Sequence, residues 1–312
     1  MNTPRDPYAL ESSPFFRLTS IHELAKLLRL TVGQLRQECL HPAFAPMRVV
    51  RKPGPRSKTR NVSPPLKTTL LLHQRLLRFF DRVRRPPYLH SATRRRSHVT
   101  NAAAHSGQRH LVKADIRKFY ESTTYSHVVA FFHHELQMAG DLARLLARLC
   151  TREGRLAMGS PLSPLLSFWV HKKMFDRLDA LSRQHRLRFT AYFDDLTISG
   201  NRITESFFQT IRRSVAIQGL ELKEQRASVV RVRAGVEVTG AWLSRGALFV
   251  PQPAYLLARQ AIAAVSSAEA DELATAIRTA EGHVSASSAI RRGAGKALNR
   301  LMARAIHAKK PL

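Results

Sequence analysis

Apolar positions recur at helical spacing through much of the chain, and short apolar runs separate these stretches. In SIHELAKLLRLTVGQLRQECL, Ser20 and Glu23 form the pattern of a capping box at the start of a helix, and TVGQLRQECL predicts a second short helix. LKTTLLLHQRLLRFFDRV predicts a long buried helix that ends at Pro86–Pro87. Helices are also predicted over 125–150, SPLLSFWVHKKMFDRLDALSRQ, TESFFQTIRRSVAIQGLEL, and from Gln252 onward.

Strands are predicted where short apolar runs meet turn residues. MRVVRKPGPRSKTRNVSPP has the pattern of a basic hairpin, HLVKADI predicts a strand that ends at Asp115, and RFTAYFDDLTISG predicts a hairpin with its turn at the acids. ASVVRVRAGVEVTGAWLSRGALFVP predicts two or three strands, and 90–110 predicts a polar, basic loop with short helical turns. Strands and helices mix without a β–α–β alternation, which favours the α+β class.

Charge narrows the choice of partners. The 312 residues contain 51 Lys and Arg against 22 Asp and Glu, a formal charge of +29. Such an excess indicates a polyanionic partner, nucleic acid first and an anionic membrane second. No run of about 18 apolar residues is present, so no membrane span is expected. The first residues lack the pattern of a signal peptide, and Cys39 and Cys150 fit reduced core thiols, so we expect a cytoplasmic protein.

Three acids follow predicted apolar strands. Asp115 ends one strand, and Asp194 and Asp195 occupy the turn of the predicted hairpin. If these strands share a sheet, the carboxylates converge, and crowded carboxylates need a cation to stay ionised. Oxygen ligands suit Mg²⁺, and two such ions can clamp the reacting oxygens in phosphoryl transfer. The alternative is a solvated hairpin turn, where Asp is common.

The motifs around these acids resemble those of reverse transcriptases, in the same order along the chain. YFDDLTIS resembles the Tyr-x-Asp-Asp motif, LVKADIRKFYES the first catalytic motif, GSPLSPLLS the Gly-x-Pro-x-Ser-Pro motif, and RKPGPRSKTRNVSPPLKTTLLLHQRLL the fingers hairpin and helix. NAAAH at 101–105, VTG at 238–240 and the opening helices resemble the bacterial retron group. The resemblance covers roughly residues 20–300.

This resemblance implies a right-hand polymerase with an antiparallel palm sheet and a helical thumb. The expected divisions are an N-terminal helical segment at 1–45, fingers at 46–110, palm with fingers-associated helices at 111–250, and thumb at 251–312. It implies that the enzyme copies a structured non-coding RNA into DNA from dNTPs, starting at a 2′-hydroxyl. The product would be a branched RNA–DNA used in anti-phage defence with a separate effector protein.

The resemblance also implies roles for individual residues. Asp115 and Asp194 would be the primary ligands of two Mg²⁺ ions, Asp195 a less direct ligand, and the carbonyl of Ile116 a further one. Tyr120, with Phe119 beside it, would lie under the sugar of the incoming nucleotide, although one of the two rings could be core. Further candidates for nucleotide binding are Lys52, Arg60, Gly159, Ser160 and Pro161.

RNA contacts are implied for the basic loop and the two retron signatures: Arg94, Arg95, Arg96, Asn101, His105, Val238, Thr239 and Gly240. For Asn101 and His105, ordering of the loop is an equal alternative. Three residues depart from the family pattern: Met158 replaces a usual Gln, Phe193 a usual Ala, and Phe168 a common Asn. None of these changes removes an expected metal ligand.

Two alternatives stay open at this point. The chain could be another bacterial defence reverse transcriptase or one similar to group II intron enzymes. It could also be an RNA-binding scaffold with an inactive polymerase fold, although the three intact acids favour an enzyme.

Overall fold

The structure is a computed structural model that describes residues 7–51, 59–223 and 229–307. Short 3₁₀ turns occur at Leu10–Ser12 and Val232–Ala234, and a π-helical turn, Phe131–Glu135, follows α6. The α-helices in these ranges are α1 (Ile21–Leu27), α2 (Val32–Leu40), α3 (Lys67–Asp81), α4 (His98–Ala103), α5 (Phe119–Ser122), α6 (Tyr125–Ala130), α7 (Gly140–Cys150), α8 (Ser163–Val170), α9 (Lys172–Gln184), α10 (Glu205–Ala216), α11 (Gln252–Ser267), α12 (Leu273–Ile290) and α13 (Arg292–His307).

The strands of the described residues form four antiparallel sheets. The largest has the order β6-β7-β3-β8, a second has the order β11-β10-β9, and two further hairpins pair β1 with β2 and β4 with β5. The strands are β1 (Arg48–Arg51), β2 (Thr59–Val62), β3 (His110–Asp115), β4 (Thr151–Arg152), β5 (Arg155–Leu156), β6 (Arg188–Tyr192), β7 (Asp195–Gly200), β8 (Val229–Arg231), β9 (Val236–Val238), β10 (Ala241–Ser244) and β11 (Ala247–Phe249). The structure confirms the α+β class.

The structure confirms the first two predicted helices, the first of them with the predicted N-cap at Ser20. The Ser20 side chain accepts a hydrogen bond from Glu23 N at the start of α1, with a donor–acceptor distance of 3.4 Å. At the start of α2, Thr31 and Gln34 form a reciprocal capping box. The Ser20 cap involves residues only three positions apart, which is why the sequence alone could indicate it.

Helix α3 confirms the predicted long buried helix but ends earlier than expected. Its last residue is Asp81, with Arg82 as the C-cap, well before the proline pair. The backbone of Tyr8 pairs with this exit: Tyr8 N donates to Arg82 O at 3.0 Å, and Arg84 N donates to Tyr8 O at 2.7 Å. Pairing with the N-terminal segment takes the chain out of the helix before the prolines could end it.

Between 229 and 249 the prediction of two or three strands was too low, because the structure has four short ones. Two-residue turns, Thr239–Gly240 and Arg245–Gly246, connect β9 to β10 and β10 to β11. All four turn residues have positive φ, between 44° and 86°. This is the backbone of a tight antiparallel hairpin, in which each strand is only three or four residues long.

Apolar side chains form three buried clusters. The largest runs from Phe15 to Leu220 and unites the N-terminal helices with the central sheet. A small cluster joins α4 and β3 to the sheet of β9–β11. The third belongs to α11, α12 and α13 alone. Cys39 and Cys150 are buried and unpaired, as predicted.

Helices contact the central sheet mainly at β6, one of its two edge strands. Helix α9 packs against β6, α10 packs against α9, and α4 contacts both β6 and the sheet of β9–β11. Among the described residues, no helix has the length and apolarity to cross a bilayer. The predicted hairpin of 47–65 is confirmed by the pairing of β1 with β2, and its turn lies outside the described residues.

Candidate active site

The central sheet brings two of the three acids directly opposite each other. Asp115, the last residue of β3, pairs with Asp195, the first residue of β7. Ile116 N donates to Asp194 O at 2.9 Å beside this pair. That hydrogen bond identifies the pair as the closely spaced, non-hydrogen-bonded kind, with Cα atoms about 4.5 Å apart. The predicted convergence of Asp115 with the hairpin acids therefore follows from strand register.

The turn between β6 and β7 contains Phe193 and Asp194. Phe193 has a φ of 55°, a left-handed conformation that a bulky residue rarely adopts. Two contacts hold it there: Phe193 N donates to the Ser91 hydroxyl at 2.9 Å, and its ring meets that of Tyr192 edge to face, with centroids 5.0 Å apart. Phe193, one of the three residues that depart from the reverse-transcriptase pattern, is thus anchored beside the acids.

Lys223 is a member of this site that the sequence analysis did not single out. Its Nζ forms an ion pair with Oδ1 of Asp115, and its backbone N donates to Asp115 O at 2.9 Å. Asp115 is only 3% exposed, so the ammonium compensates a carboxylate removed from water. The segment after α10 reaches this position through an antiparallel bridge between Leu222 and Ile116.

The three carboxylates are donors that suit a hard divalent cation, although their side chains are not arranged around a common metal position in the conformation described here. Asp115 and Asp195 face each other and Asp194 lies next to them, which is oxygen chemistry suited to Mg²⁺. In the parts of the chain that the structure describes, no group of three or more Asp, Glu, His or Cys side chains is arranged to hold a metal ion. Lys223 Nζ supplies the positive charge beside Asp115 instead.

The turn at 159–161 lies against the segment that follows β2. Gly159 has a φ of 103°, and a Cβ there would lie 3.2 Å from the backbone N of Pro64. Ser63 N donates to Met158 O at 2.7 Å, which fixes the same approach. Any residue other than glycine would be strained by its φ and by this contact. Pro161 follows at a partly exposed position.

Ser160 is buried and committed to hydrogen bonds within the protein. Burial lowers the pKa of the His73 imidazole to about 4, so the ring is neutral at pH 7. His73 Nε2 lies 2.8 Å from the carbonyl oxygen of Leu149 and must donate to it, which leaves Nδ1 to accept from the Ser160 hydroxyl at 2.7 Å. Ser160 Oγ also accepts from Leu162 N at 3.1 Å. Ser160 therefore shapes the turn through its side chain.

The two adjacent aromatics divide between core and surface. Phe119 is buried, with its ring centroid 5.5 Å from that of His171 and 6.1 Å from that of Phe175. Tyr120 is partly exposed. Of the two candidates for the sugar of an incoming nucleotide, only Tyr120 has accessible surface, and the alternative of a core aromatic applies to Phe119.

Asn101 and His105 are both fully buried, which favours the alternative that they order the loop. His105 Nδ1 lies 2.6 Å from Ser199 Oγ and Nε2 lies 2.8 Å from Thr190 Oγ1, so the ring links the end of α4 to β7 and β6. Burial lowers the pKa of His105 to about 3, and the ring is neutral. Neither nitrogen is available to RNA in this structure.

The two retron-like signatures meet in space. Thr239 Oγ1 donates to His98 O at 2.8 Å and accepts from Asn101 Nδ2 at 3.4 Å. Val238 is buried, whereas Gly240 is exposed at the tip of the turn. The sequence separates these signatures by more than a hundred residues, and the fold joins them in one hydrogen-bonded corner.

The basic candidates differ in how much of their charge is available. Arg96 Nη1 donates to three carbonyl oxygens, those of Pro86, Pro87 and Leu89, at 2.7–2.9 Å. Arg94 and Arg95 are exposed. Lys52 lies outside the described residues, and Arg60 lies in β2, opposite Val50. Arg96 thus holds the loop together, and Arg94 and Arg95 keep exposed charge for a partner.

The chain is similar to several curated proteins, although no protein-family model matches it. It is 25% identical over 236 residues to the "Retron Ec86 reverse transcriptase" of Escherichia coli, covering 73% of this chain and 72% of that protein. It is 28% identical over 242 residues to the "Retron Mx65 reverse transcriptase" of Myxococcus xanthus, covering 70% of this chain and 56% of that protein. The "Retron Se72 reverse transcriptase" of Salmonella heidelberg is 24% identical, with 62% of this chain and 53% of that protein covered.

The chain therefore spans nearly three quarters of the first of these relatives and just over half of the other two. Among solved structures, a telomerase from Candida albicans in complex with a fragment of telomeric RNA matches with a TM-score of 0.48 at 8% identity. That match covers 87% of this chain and 61% of the telomerase chain.

Proposed function

We infer from these similarities that the chain is a retron-type reverse transcriptase, an RNA-directed DNA polymerase, and we propose that it copies a cognate structured non-coding RNA into a branched RNA–DNA. The observation that carries the proposal is the register of β3 and β7, in which Asp115 lies opposite Asp195 with Asp194 beside it. A solvated hairpin turn would not require a third acid on the neighbouring strand.

Mg²⁺ would be held by Asp115, Asp194 and Asp195, with the backbone carbonyl of Ile116 as a further oxygen donor. When bound, two such ions would stabilise the charge that develops on the attacking and leaving oxygens of nucleotidyl transfer. The chain's own contribution is to present these oxygens from the ends of paired strands. Lys223 neutralises Asp115 in the conformation described here and would have to move aside.

The incoming dNTP would lie between the acids and the turn of Gly159, Ser160 and Pro161. Tyr120 is proposed to pack under its sugar, where a ring leaves no room for a 2′-hydroxyl. Gly159 lets this turn pack against the Pro64 backbone because it carries no Cβ, and Ser160 holds the turn through His73. Lys52 and Arg60 are proposed to neutralise the triphosphate, since both lie in or next to the basic β1–β2 hairpin.

The division into an N-terminal segment at 1–45, fingers at 46–110, palm at 111–250 and thumb at 251–312 is part of this proposal. Its support is that α11, α12 and α13 have an apolar cluster of their own and a basic composition. Cations on these helices would contact the phosphates of the RNA–cDNA duplex. We propose a cytoplasmic enzyme that serves anti-phage defence together with a separate effector protein.

Primer extension on poly(rA)–oligo(dT) with Mg²⁺ tests the polymerase. We expect extension by the wild type and a loss of about a hundred- to a thousandfold in Asp194→Asn, because removing one metal ligand removes charge stabilisation of the transition state. Asp141→Asn, a change of an exposed acid at the start of α7, is the matched control and should extend normally. No extension by the wild type would support the inactive RNA-binding scaffold, and equal extension by Asp194→Asn would show that the extension does not come from this site.

A separate experiment tests the retron assignment. The protein is purified from its native host and the bound nucleic acid is sequenced, with the expectation of a covalently linked RNA–DNA species. Robust polymerase activity without any linked species would instead support another bacterial defence or group II intron-like reverse transcriptase.

A further inference from the structure

A basic cleft lies at the end of the central sheet opposite to the acids. Its cavity has a volume of about 690 Å³, and its lining includes His110 and the charged residues Arg109, Arg231, Arg233 and Arg245. His110 starts β3 and pairs directly with Arg231, which ends β8. Asp115 lies five residues further along β3. At about 3.4 Å per residue, the cleft is about 17 Å from the carboxylates.

Local backbone geometry gathers these arginines from three segments. Val232 N donates to Arg109 O at 2.9 Å, which brings the turn containing Arg233 onto the residue before β3. The tip of the β10–β11 hairpin is Arg245–Gly246, with φ values of 48° and 77°. A Cβ on Gly246 would lie 4.0 Å from the backbone N of Gly107, so the tip closes against the loop that precedes β3.

The charge of the cleft is uncompensated within the described residues. Arg109, Arg231, Arg233 and Arg245 are all exposed, and in the described ranges none of these four guanidinium groups forms an ion pair or a side-chain hydrogen bond with the protein. Among the described residues, no Asp or Glu lines the cavity. Elsewhere, exposed arginines such as Arg117 and Arg183 have acidic partners. Like charges gathered in a concave site repel one another and raise the local concentration of anions.

A second cavity extends the same charged surface. It has a volume of about 350 Å³, shares Gln108 with the first, and adds Arg186 and Arg188 along the start of β6. Asp179 also lines it but is paired with Arg183 at 3.0 Å. The two cavities together make a basic strip across the end of the sheet, which fits a polymer of phosphates better than a single small anion.

We propose that this cleft binds the phosphodiester backbone of RNA and anchors it about 17 Å from the acids. Guanidinium groups form two-pronged hydrogen bonds with phosphate oxygens, and the concave surface fits a rod-like polyanion better than a flat membrane. This inference rests on the proposed function for the kind of polymer bound. The anchor would hold a structured part of the RNA while another part lies at the acids.

The variant Arg231→Gln/Arg233→Gln tests the anchor, because glutamine removes the charge and keeps a polar side chain. Binding of an RNA hairpin is measured by fluorescence anisotropy at several KCl concentrations. We expect at least a tenfold loss of affinity at moderate salt, and a slope of log affinity against log salt that is smaller in magnitude by about 0.7–0.9 for each phosphate that the variant no longer neutralises. The control Lys26→Gln/Arg36→Gln removes two exposed charges from α1 and α2 and should bind normally.

The turnover number on saturating, short poly(rA)–oligo(dT) separates this anchor from the reaction itself. We expect it to stay within about twofold of the wild type, since a cleft about 17 Å away does not touch the reacting atoms. Equal RNA affinity in the wild type and the cleft variant, or an equal loss in the control, would overturn the proposal. So would displacement of the RNA by poly-glutamate at equal charge, which would indicate an acidic protein as the partner.

The outcome for the polymerase is distinguishable from the outcome for the anchor. If the wild type bound the hairpin through the cleft but extended no primer, the proposed function would fail and the anchor would stand as part of an RNA-binding scaffold. If primers were extended and the cleft variant bound RNA normally, the anchor alone would fail. Thermal unfolding of each variant confirms that the fold is retained.

Discussion

Lys223 and Asp115 form an ion pair at the end of the central sheet that carries the three acids, although 108 residues separate them in the sequence. The side chain of Lys223 is about one-third exposed and that of Asp115 almost fully buried. An ammonium at this place neutralises the carboxylate that the proposed function assigns to metal. The Lys223 ammonium and a divalent metal ion would therefore compete for the Asp115 carboxylate.

Replacing Lys223 with methionine is expected to increase the affinity for divalent metal, because a competing positive charge is removed. A competing interaction of about 1.4 kcal/mol corresponds to a tenfold change in affinity. Mn²⁺ binding in the absence of nucleotide, followed by electron paramagnetic resonance, measures this directly. The same variant should have a lower melting temperature in chelator, since Asp115 loses part of its neutralisation.

The control for this prediction is Lys173→Met. It breaks the ion pair between Lys173 Nζ in α9 and Glu135 Oε1 in the π-helical turn, which are 2.6 Å apart. It should leave Mn²⁺ affinity unchanged. Weaker Mn²⁺ binding in Lys223→Met would mean that the lysine supports the metal site and does not compete with it.

His105→Ala is expected to lower the free energy of unfolding by about 2–4 kcal/mol. The change leaves a cavity in the buried corner and removes the partners of two hydroxyl groups, those of Ser199 and Thr190. Denaturant unfolding measures the loss, and the exposed His22→Ala should lose less than about 0.5 kcal/mol. RNA affinity of the folded variant should equal that of the wild type. A stable variant with weakened RNA binding would instead support direct contact of His105 with RNA.

Gly159→Ala is expected to impair both folding and nucleotide binding. Its φ of 103° disfavours any side chain, and the new Cβ would lie within 3.2 Å of the Pro64 backbone. We expect a loss of about 1–3 kcal/mol in unfolding free energy and a higher KM for dNTP. The matched control is Gly33→Ala in α2, where a Cβ meets nothing within 4 Å. That change should stabilise the helix by about 0.5–1 kcal/mol. Equal stability changes in the two variants would contradict the close approach of the 159–161 turn to Pro64.

Stability should decline as the pH falls from about 6.5. Burial lowers the pKa of His73 to about 4 and the pKa values of His105 and His171 to about 3. Above the unfolded value of about 6.5 these rings are neutral in both states, and their full contribution to stability is present. Below it the unfolded chain takes up protons that the folded protein refuses, which lowers the free energy of unfolding until the pH passes the folded pKa values.

The expected slope is up to about 1.4 kcal/mol per pH unit for each of the three histidines. Denaturant unfolding between pH 4 and 7 measures it. In His171→Gln the amide can still donate to Thr123 Oγ1, the partner that lies 3.0 Å from His171 Nε2. In this variant the free energy of unfolding should change less steeply with pH, by up to about 1.4 kcal/mol per pH unit, the contribution of one histidine. An unchanged slope would mean that His171 takes up its proton in the folded state as readily as in the unfolded chain.

Local signals in the sequence determined much of the fold. The strand that ends at Asp115, the hairpin around Asp194 and Asp195, the first two helices and the N-cap at Ser20 were all predicted, because each depends on residues a few positions apart. Strand alternation and capping record which side chains face the interior and where a helix begins.

Contacts between distant segments were decided only by the tertiary structure. The end of α3 is set by Tyr8, the neutralisation of Asp115 by Lys223, and the burial of Asn101 and His105 by their contacts with the strand turn at Thr239 and with β6 and β7. Arg96, a predicted RNA contact, donates to three carbonyl oxygens of the protein, while exposed arginines at the far end of the sheet form a cleft. A sequence states which side chains carry charge, and only the packing of remote elements decides which of those charges stay available to a partner.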